Sequence, residues 1–275
     1  MLFTFVMFAD ANMEQKPLVV FTSSRNNKDF YKKSLDSVFG QRYDNWRMIY
    51  INDDSTDGTG ELVKSYIQEH GYQDRVLLVD NKTRRGHLPN QYSLIHSCAK
   101  QEIIVIVDGD DWLPHNNVFN YINRTYQDPN VWMTYGQFWY FKRNVRGLCQ
   151  KIPQEYVMMN KIRDYPGWVL SHLRTFYAGL FQAINIEDLL YEGKFYPMFA
   201  DGAVMYPMFE MAAERAKFIP DILYVYNDDN PTSFLHSQRE KQMEIRQHVL
   251  NRKRYKRLEA LPFAGASDQF YTQIQ

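Results

Sequence analysis

The sequence predicts an α/β fold: a mostly parallel central sheet flanked by helices, followed by an irregular helical C-terminal part. Three observations carry this. Short apolar runs rich in β-branched residues alternate with helix-like stretches through the first half. Residues 103–107 (Ile-Ile-Val-Ile-Val) are apolar on both faces, as a strand covered by helices on both sides requires. Each strand of the first half ends in polar residues, and in doubly wound sheets the ligand sits at the carboxyl ends of the strands.

The elements follow in order. Residues 17–22 read as a buried strand and 28–39 as a helix, with Phe30, Leu35, Val38 and Phe39 on roughly one face. A second strand spans 46–51. A second helix spans 57–70, entered through the capping residues Ser55, Thr56 and Asp57 and ended by Gly71. Strand 75–79, helix 88–100 and strand 102–107 complete the alternation. In the second half, 132–141 and 222–226 are strand-like, and 168–183, 203–217 and 238–258 read as helices. The last is highly charged, as a solvated surface helix is.

Composition narrows the class. The chain has 275 residues with 32 basic and 32 acidic side chains, so its formal net charge is zero. A dedicated duplex-DNA binder is usually basic, and a disordered chain is poorer in aromatics, so no nucleic-acid partner is expected. Cys98 and Cys149 are the only cysteines, which leaves no disulfide framework and no Cys-rich zinc site. No apolar run approaches the ~20 residues of a membrane span. Residues 1–11 carry a short apolar stretch with an Ala-x-Ala-like end but lack the basic start of a signal peptide. They read as an extension before the first strand, and a cytoplasmic location is expected, with any membrane contact peripheral. Asn81 and Asn123 match the glycosylation pattern, which carries little weight without secretion.

The strand ends hold the chemistry. Asp108, Gly109, Asp110 and Asp111 follow the clearest strand, with Trp112 and Pro114 next. Clustered carboxylates at a buried strand end repel one another, and a divalent cation relieves that repulsion. Oxygen ligands favour Mg²⁺ or Mn²⁺, and such an ion typically binds substrate phosphates. Gly109 lets the backbone turn sharply. Neither a Gly-x-Gly-x-x-Gly turn after the first strand nor a Gly-x-x-x-x-Gly-Lys-Ser/Thr loop is present, so hydride transfer and P-loop phosphoryl transfer lose most of their support.

Taken together, these motifs resemble the inverting family-two glycosyltransferases with the GT-A fold, a Rossmann-like sheet. The resemblance rests on Thr22 and Asn26 after the first strand, on Asn52-Asp-Asp-Ser-Thr-Asp-Gly-Thr59 after the second, and on Asp108-Gly-Asp-Asp-Trp112 after the fourth. Asp54 stands where the family usually has Gly. The resemblance covers roughly residues 17–235, with a nucleotide-binding half at about 17–115 and an acceptor-side half at about 116–235. Residues 1–16 form an N-terminal extension, and 236–275 a C-terminal helix and tail.

The resemblance implies roles. Thr22, Ser24 and Asn26 line the nucleotide pocket, and Asp53 accepts the N3–H of uracil. Arg85 approaches the nucleotide or diphosphate, and Asn90 matches an Asn common on that helix. Asp108 contacts the ribose or donor sugar and joins the metal site. Asp110 is the main metal ligand, and Asp111 is a second ligand or a sugar contact. Asp201 is the catalytic base, although Ala200 stands where Glu is common and Pro207 lies early in the helix. Otherwise Asp201 would be a plain N-cap. The resemblance gives His236 either contact with the metal or diphosphate or a place as a surface histidine, and Arg239 either neutralisation of phosphate charge or a place as a solvated helix residue. Residues 166–176 resemble an acceptor-side element, in which Trp168 stacks on a sugar or packs in the core.

The expected activity is metal-dependent transfer of a sugar, most naturally from a UDP-sugar, to a hydroxyl of a glycan, lipid-linked or protein acceptor. One base and one Mn²⁺ or Mg²⁺ suffice for an in-line displacement. Two alternatives remain: a nucleotidyltransferase, for which Thr22–Arg25 is a poor phosphate clamp, and a catalytically silent module that binds sugar nucleotides or glycans.

Overall fold

A computed structural model describes residues 13–230 and 239–263. The sequence readings for residues 1–12, His236 and the tail beyond residue 263 lie outside the described residues. The element order is β1 (Leu18–Ser24), α1 (Tyr31–Phe39), β2 (Trp46–Asp53), α2 (Thr59–Glu69), β3 (Val76–Asn81), α3 (His87–Ile95), β4 (Ile103–Ile106), α4 (Val118–Tyr126) and β5 (Met133–Tyr140). It continues with β6 (Val145–Arg146), α5 (Gln154–Met158), β7 (Arg174–Tyr177), α6 (Ala178–Gln182), β8 (Leu190–Tyr191), β9 (Lys194–Phe195), α7 (Ala200–Ala212), β10 (Ala216–Tyr226) and α8 (Arg239–Leu250).

The main sheet runs β10-β5-β7-β4-β1-β2-β3, with β6 paired to the outer part of β5. Pairings among β1, β2, β3 and β4 are parallel, as is β5 with β10. Alternate residues of β1 and β2 enter different layers, as the two-residue strand period dictates. Val19, Phe21, Ile49 and Ile51 pack with α3, α6 and α7. Leu18, Val20, Met48 and Tyr50 pack with α1, α2 and α4. The expected α/β sheet covered on both faces is therefore present.

Local signals in the first half act as expected. Asp57 accepts from the amide of Thr59 at 3.0 Å and so closes the entry to α2. Gly71, at φ 71°, ends that helix, donating to Gln68 at 3.2 Å. Asp54 adopts φ 60°, the left-handed region for which Gly is suited and which Asp tolerates. The α3 helix is shorter than expected, ending at Ile95.

Three second-half expectations are corrected. Residues 168–183 are not one helix: β7 and the short α6 replace it, joined to a preceding non-helical stretch. The run is buried on every side, so it shows no single apolar face, and periodicity cannot separate helix from central strand. β7 is antiparallel to both β4 and β5, so the sheet is mixed. The helix expected at 203–217 runs instead as α7 from Ala200 to Ala212, and β10 starts at Ala216. Pro207 sits mid-helix, not in the first turn; close packing on all sides holds α7 through the missing hydrogen bond. β10 tolerates Pro220 because it is an edge strand with register shifts around that residue.

The C-terminal segment is not a solvated helix of 21 residues. α8 stops at Leu250, and its Ile245 and Val249 are buried. A buried ion pair fastens it: Arg163 donates to Glu210 on α7 at 2.6 and 2.8 Å. Arg163 also donates to the Val249 carbonyl at 2.7 Å, and the Tyr255 amide donates to Glu210 at 2.9 Å. Glu210→Ala leaves the guanidinium buried and uncompensated, and the expected cost is about 3–5 kcal/mol in urea unfolding.

Candidate active site

The carboxyl ends of β1, β2, β3, β4, β5 and β10 share one edge of the sheet, and the amino end of antiparallel β7 meets them there. Arg174, the first residue of β7, pairs in register with Ile106, two residues before Asp108. Its side chain is 3% exposed. Its Nη1 lies 2.5 Å from Asp201 Oδ2, and its Nη2 lies 3.5 Å from Asp108 Oδ2. One guanidinium thus joins the acidic strand end to the first turn of α7. Arg174 was not singled out in the sequence because its segment read as helix; a lone arginine inside a strongly apolar run was the available signal.

Asp201 is half-buried and is not the N-cap: Phe199 occupies that position, at φ 56°. Burial pushes its carboxyl up, but the Arg174 guanidinium beside it outweighs burial and holds it below the ordinary value. It is an ionised acceptor at neutral pH, as a general base must be.

The acidic loop folds tightly onto β1. A Cβ at Gly109 would lie 2.6 Å from Ser24 Cβ, so this glycine is needed for close approach. Asn27 donates to the Gly109 carbonyl from beneath. Asp111 is 1% exposed and accepts from Tyr224 Oη at 2.6 Å and from the Asn227 amide at 2.7 Å. Burial, then Asp110 and Asp108, push its carboxyl well above the ordinary range. Asp110 accepts from Asn230 at 2.7 Å, and burial raises it too, with Asp108 adding to the rise.

Asp108, Asp111 and His172 offer ligand atoms that all lie within 4.8 Å of one another. Burial, then the charge of Arg174, holds His172 well below the ordinary imidazole value, so the ring is neutral and able to ligate. Two carboxylates and a neutral imidazole fit a divalent cation such as Mn²⁺. Asp110 is not in this group, and the expected ligand His236 lies outside the described residues. His172 was quoted in the sequence only as part of the 166–176 element.

The expected nucleotide-side residues lie at the same edge. Asp53 accepts from Asn81 at 2.8 Å and from the amides of Arg85 at 3.0 Å and Gly86 at 2.8 Å. Burial raises its carboxyl, but these donors outweigh burial and hold it low. Arg85 therefore meets Asp53 through its backbone, while its side chain is exposed. Asn90 is fully buried and accepts from Asn81 at 2.9 Å. Asn26, at φ 51°, receives the Thr56 amide at 2.9 Å and donates its own amide to Ser55 at 2.9 Å. Thr22 and Ser24 are buried at the end of β1. Of the glycosylation matches, Asn123 is 3% exposed and bonded to Lys16, and Asn81 serves Asp53.

Residues 19–187 match the family model described as glycosyl transferase family 2. The chain is 38% identical over 79 residues to the putative glycosyltransferase EpsE of Bacillus subtilis (strain 168), covering 29% of this chain and 27% of that one. Its fold is similar to S. aureus TarS 1-349 in complex with UDP-GlcNAc, with TM-score 0.61, 14% identity, and coverage of 85% of this chain and 65% of that one. It is also similar to the mannosyltransferase PcManGT from Pyrobaculum calidifontis in complex with GDP-Man and Mn²⁺, with TM-score 0.59, 20% identity, and coverage of 88% and 66%. This chain thus spans about a quarter of EpsE and just under two thirds of the TarS fragment. These likenesses show the GT-A fold.

Arg174→Met removes the charge that holds the Asp201 carboxyl low. The proton then stays on Asp201 to higher pH, and the acid limb of the pH–rate profile shifts upward. A rate loss of about 10²-fold is expected from the misplaced candidate base.

Proposed function

The chain belongs to glycosyl transferase family 2, and on that premise we propose that it transfers a sugar from a UDP-sugar to an acceptor hydroxyl with inversion at the anomeric carbon. The observation that carries the reading is the Arg174 bridge, which keeps an ionised Asp201 at a fixed distance from the Asp108 cluster. Asp201 takes the proton of the attacking hydroxyl. Asp53 receives the base of the nucleotide, beside Thr22, Ser24, Asn26, Arg85 and Asn90. In this reading residues of about 17–115 hold the donor, and those of about 116–235 shape the acceptor side.

Asp108, Asp111 and His172 would hold Mn²⁺ or Mg²⁺, with Asp110 turned from Asn230 toward the same ion. When bound, the ion neutralises charge on the departing diphosphate. This chain's own residues bring the nucleophile, the base and the acidic strand end to one edge; no covalent intermediate is needed. Family membership favours sugar transfer over nucleotidyl transfer, and the ionised Asp201 favours turnover over silent binding. No helix among the described residues is long and apolar enough to cross a membrane.

The test is a donor screen. UDP-, GDP- and dTDP-sugars are incubated with the protein and Mn²⁺, Mg²⁺ or EDTA, and nucleoside diphosphate release is measured. Release from a UDP-sugar that EDTA abolishes is the expected result; EDTA-resistant release counts against the metal, and no release from any donor counts against the activity. Asp201→Asn should lower transfer by about 10²–10⁴-fold while UDP binding, measured by calorimetry, stays at the wild-type value.

A further inference from the structure

Beside Asp201 lies an aromatic surface that the donor chemistry does not use. Trp168 is half-buried on the stretch leading into β7, placed by Gly167 at φ 85°. Its ring meets Phe199 and Tyr206 edge-on, each with centroids 5.5 Å apart. Phe199 stands two residues before Asp201 and is itself half-buried.

Phe199 occupies this place against local preference. A bulky residue at φ 56° is strained, and such strain persists where the surroundings hold it. The ring folds back over Gly202, where any Cβ would overlap it. A flat face is thereby fixed two residues from the candidate base.

Arg246 of α8 sits over the same ring, 5.9 Å from its centroid. Its Nε is shielded from solvent and has no hydrogen-bond partner, and no carboxylate pairs with it among the described residues. By contrast, Arg163, Arg174 and Arg252 meet carboxylates, and half-buried Arg215 is satisfied by the Leu258 and Glu259 carbonyls. An arginine held half-buried without an anion is suited to one that arrives with a ligand.

We propose that Trp168, Phe199 and Arg246 form the acceptor subsite, and that it takes a saccharide carrying an anionic group. This rests on the glycosyltransferase reading of Asp201. The apolar face of a pyranose ring packs on the aromatic surface, and the guanidinium pairs with a carboxylate or phosphate on the same or the adjacent residue. The hydroxyl to be glycosylated then faces Asp201.

The experiment is calorimetric titration of the full chain, with UDP and Mn²⁺ present, using tetrasaccharides of equal length: a neutral glucan, one containing glucuronate and one carrying a phosphate monoester. At least one charged probe should bind about tenfold more tightly than the neutral one, and the tighter of the two names the anion. Trp168→Leu, which keeps an apolar side chain but loses the flat ring, should weaken all binding about tenfold, and Trp168→Phe should restore most of it. Arg246→Gln should abolish only the preference for charge. The inference is overturned if no probe binds, if neutral and charged probes bind equally, or if Trp168→Leu binds as wild type does. UDP release by the wild-type protein on the same samples judges the donor-side reading separately.

Discussion

Arg174 carries a charge into a place where water cannot follow, and two carboxylates from distant parts of the chain neutralise it. Removing a guanidinium from water costs several kcal/mol, and it is tolerated only where partners with good geometry repay the loss. The partners lie at the end of β4 and at the start of α7. Both elements are therefore tied to the first residue of a strand at the centre of the sheet. Had β7 run parallel like its neighbours, its first residue would lie at the opposite edge. Chain reversal in one strand is what delivers a cation to an edge otherwise lined by acids.

The acidic loop itself is held in a state that favours a positive ligand. Asp110 is raised by burial and by Asp108, and Asp111 by burial and by both neighbouring acids, while among the described residues Asp111 accepts only from Tyr224 and a backbone amide. Arg174 relieves Asp108 alone, and at 3.5 Å it does so weakly. Gly109 lets the loop press against Ser24, so the carboxylates cannot spread apart to lower their repulsion. A close-packed backbone thus maintains the electrostatic tension.

Much of this was legible in the sequence. The first half announces itself through alternating strand and helix patterns, and the acids at 53 and 108–111 follow from reading strand ends in a doubly wound sheet. Asp201 came from the family resemblance rather than from pattern. The second half was opaque because burial on all sides erases periodicity: residues 168–183 offer no polar face to betray a strand, and α7 is buried for most of its length. His172 and Arg174 were hidden for that reason. Their partners are sheet neighbours and a remote helix, and no local spacing encodes such contacts. Phe199, at positive φ, broke a local rule that the sequence gives no means of anticipating.

The fastening of Arg163 and Glu210 also bears on the order in which the protein can be finished. Their mutual ion pair draws on residues that leave the ribosome well before the end of the chain. The Val249 carbonyl and the Tyr255 amide complete their hydrogen bonds, and both come later. Until that last stretch has been made, the helix that begins with the candidate base rests on a buried charge pair with empty positions. Strands β1–β4 and the carboxylates at their ends, all from residues before 115, are complete in sequence long before then. Synthesis thus makes β1–β4 and their strand-end carboxylates first, so a nascent chain stopped short of Tyr255 holds them without a secured α7.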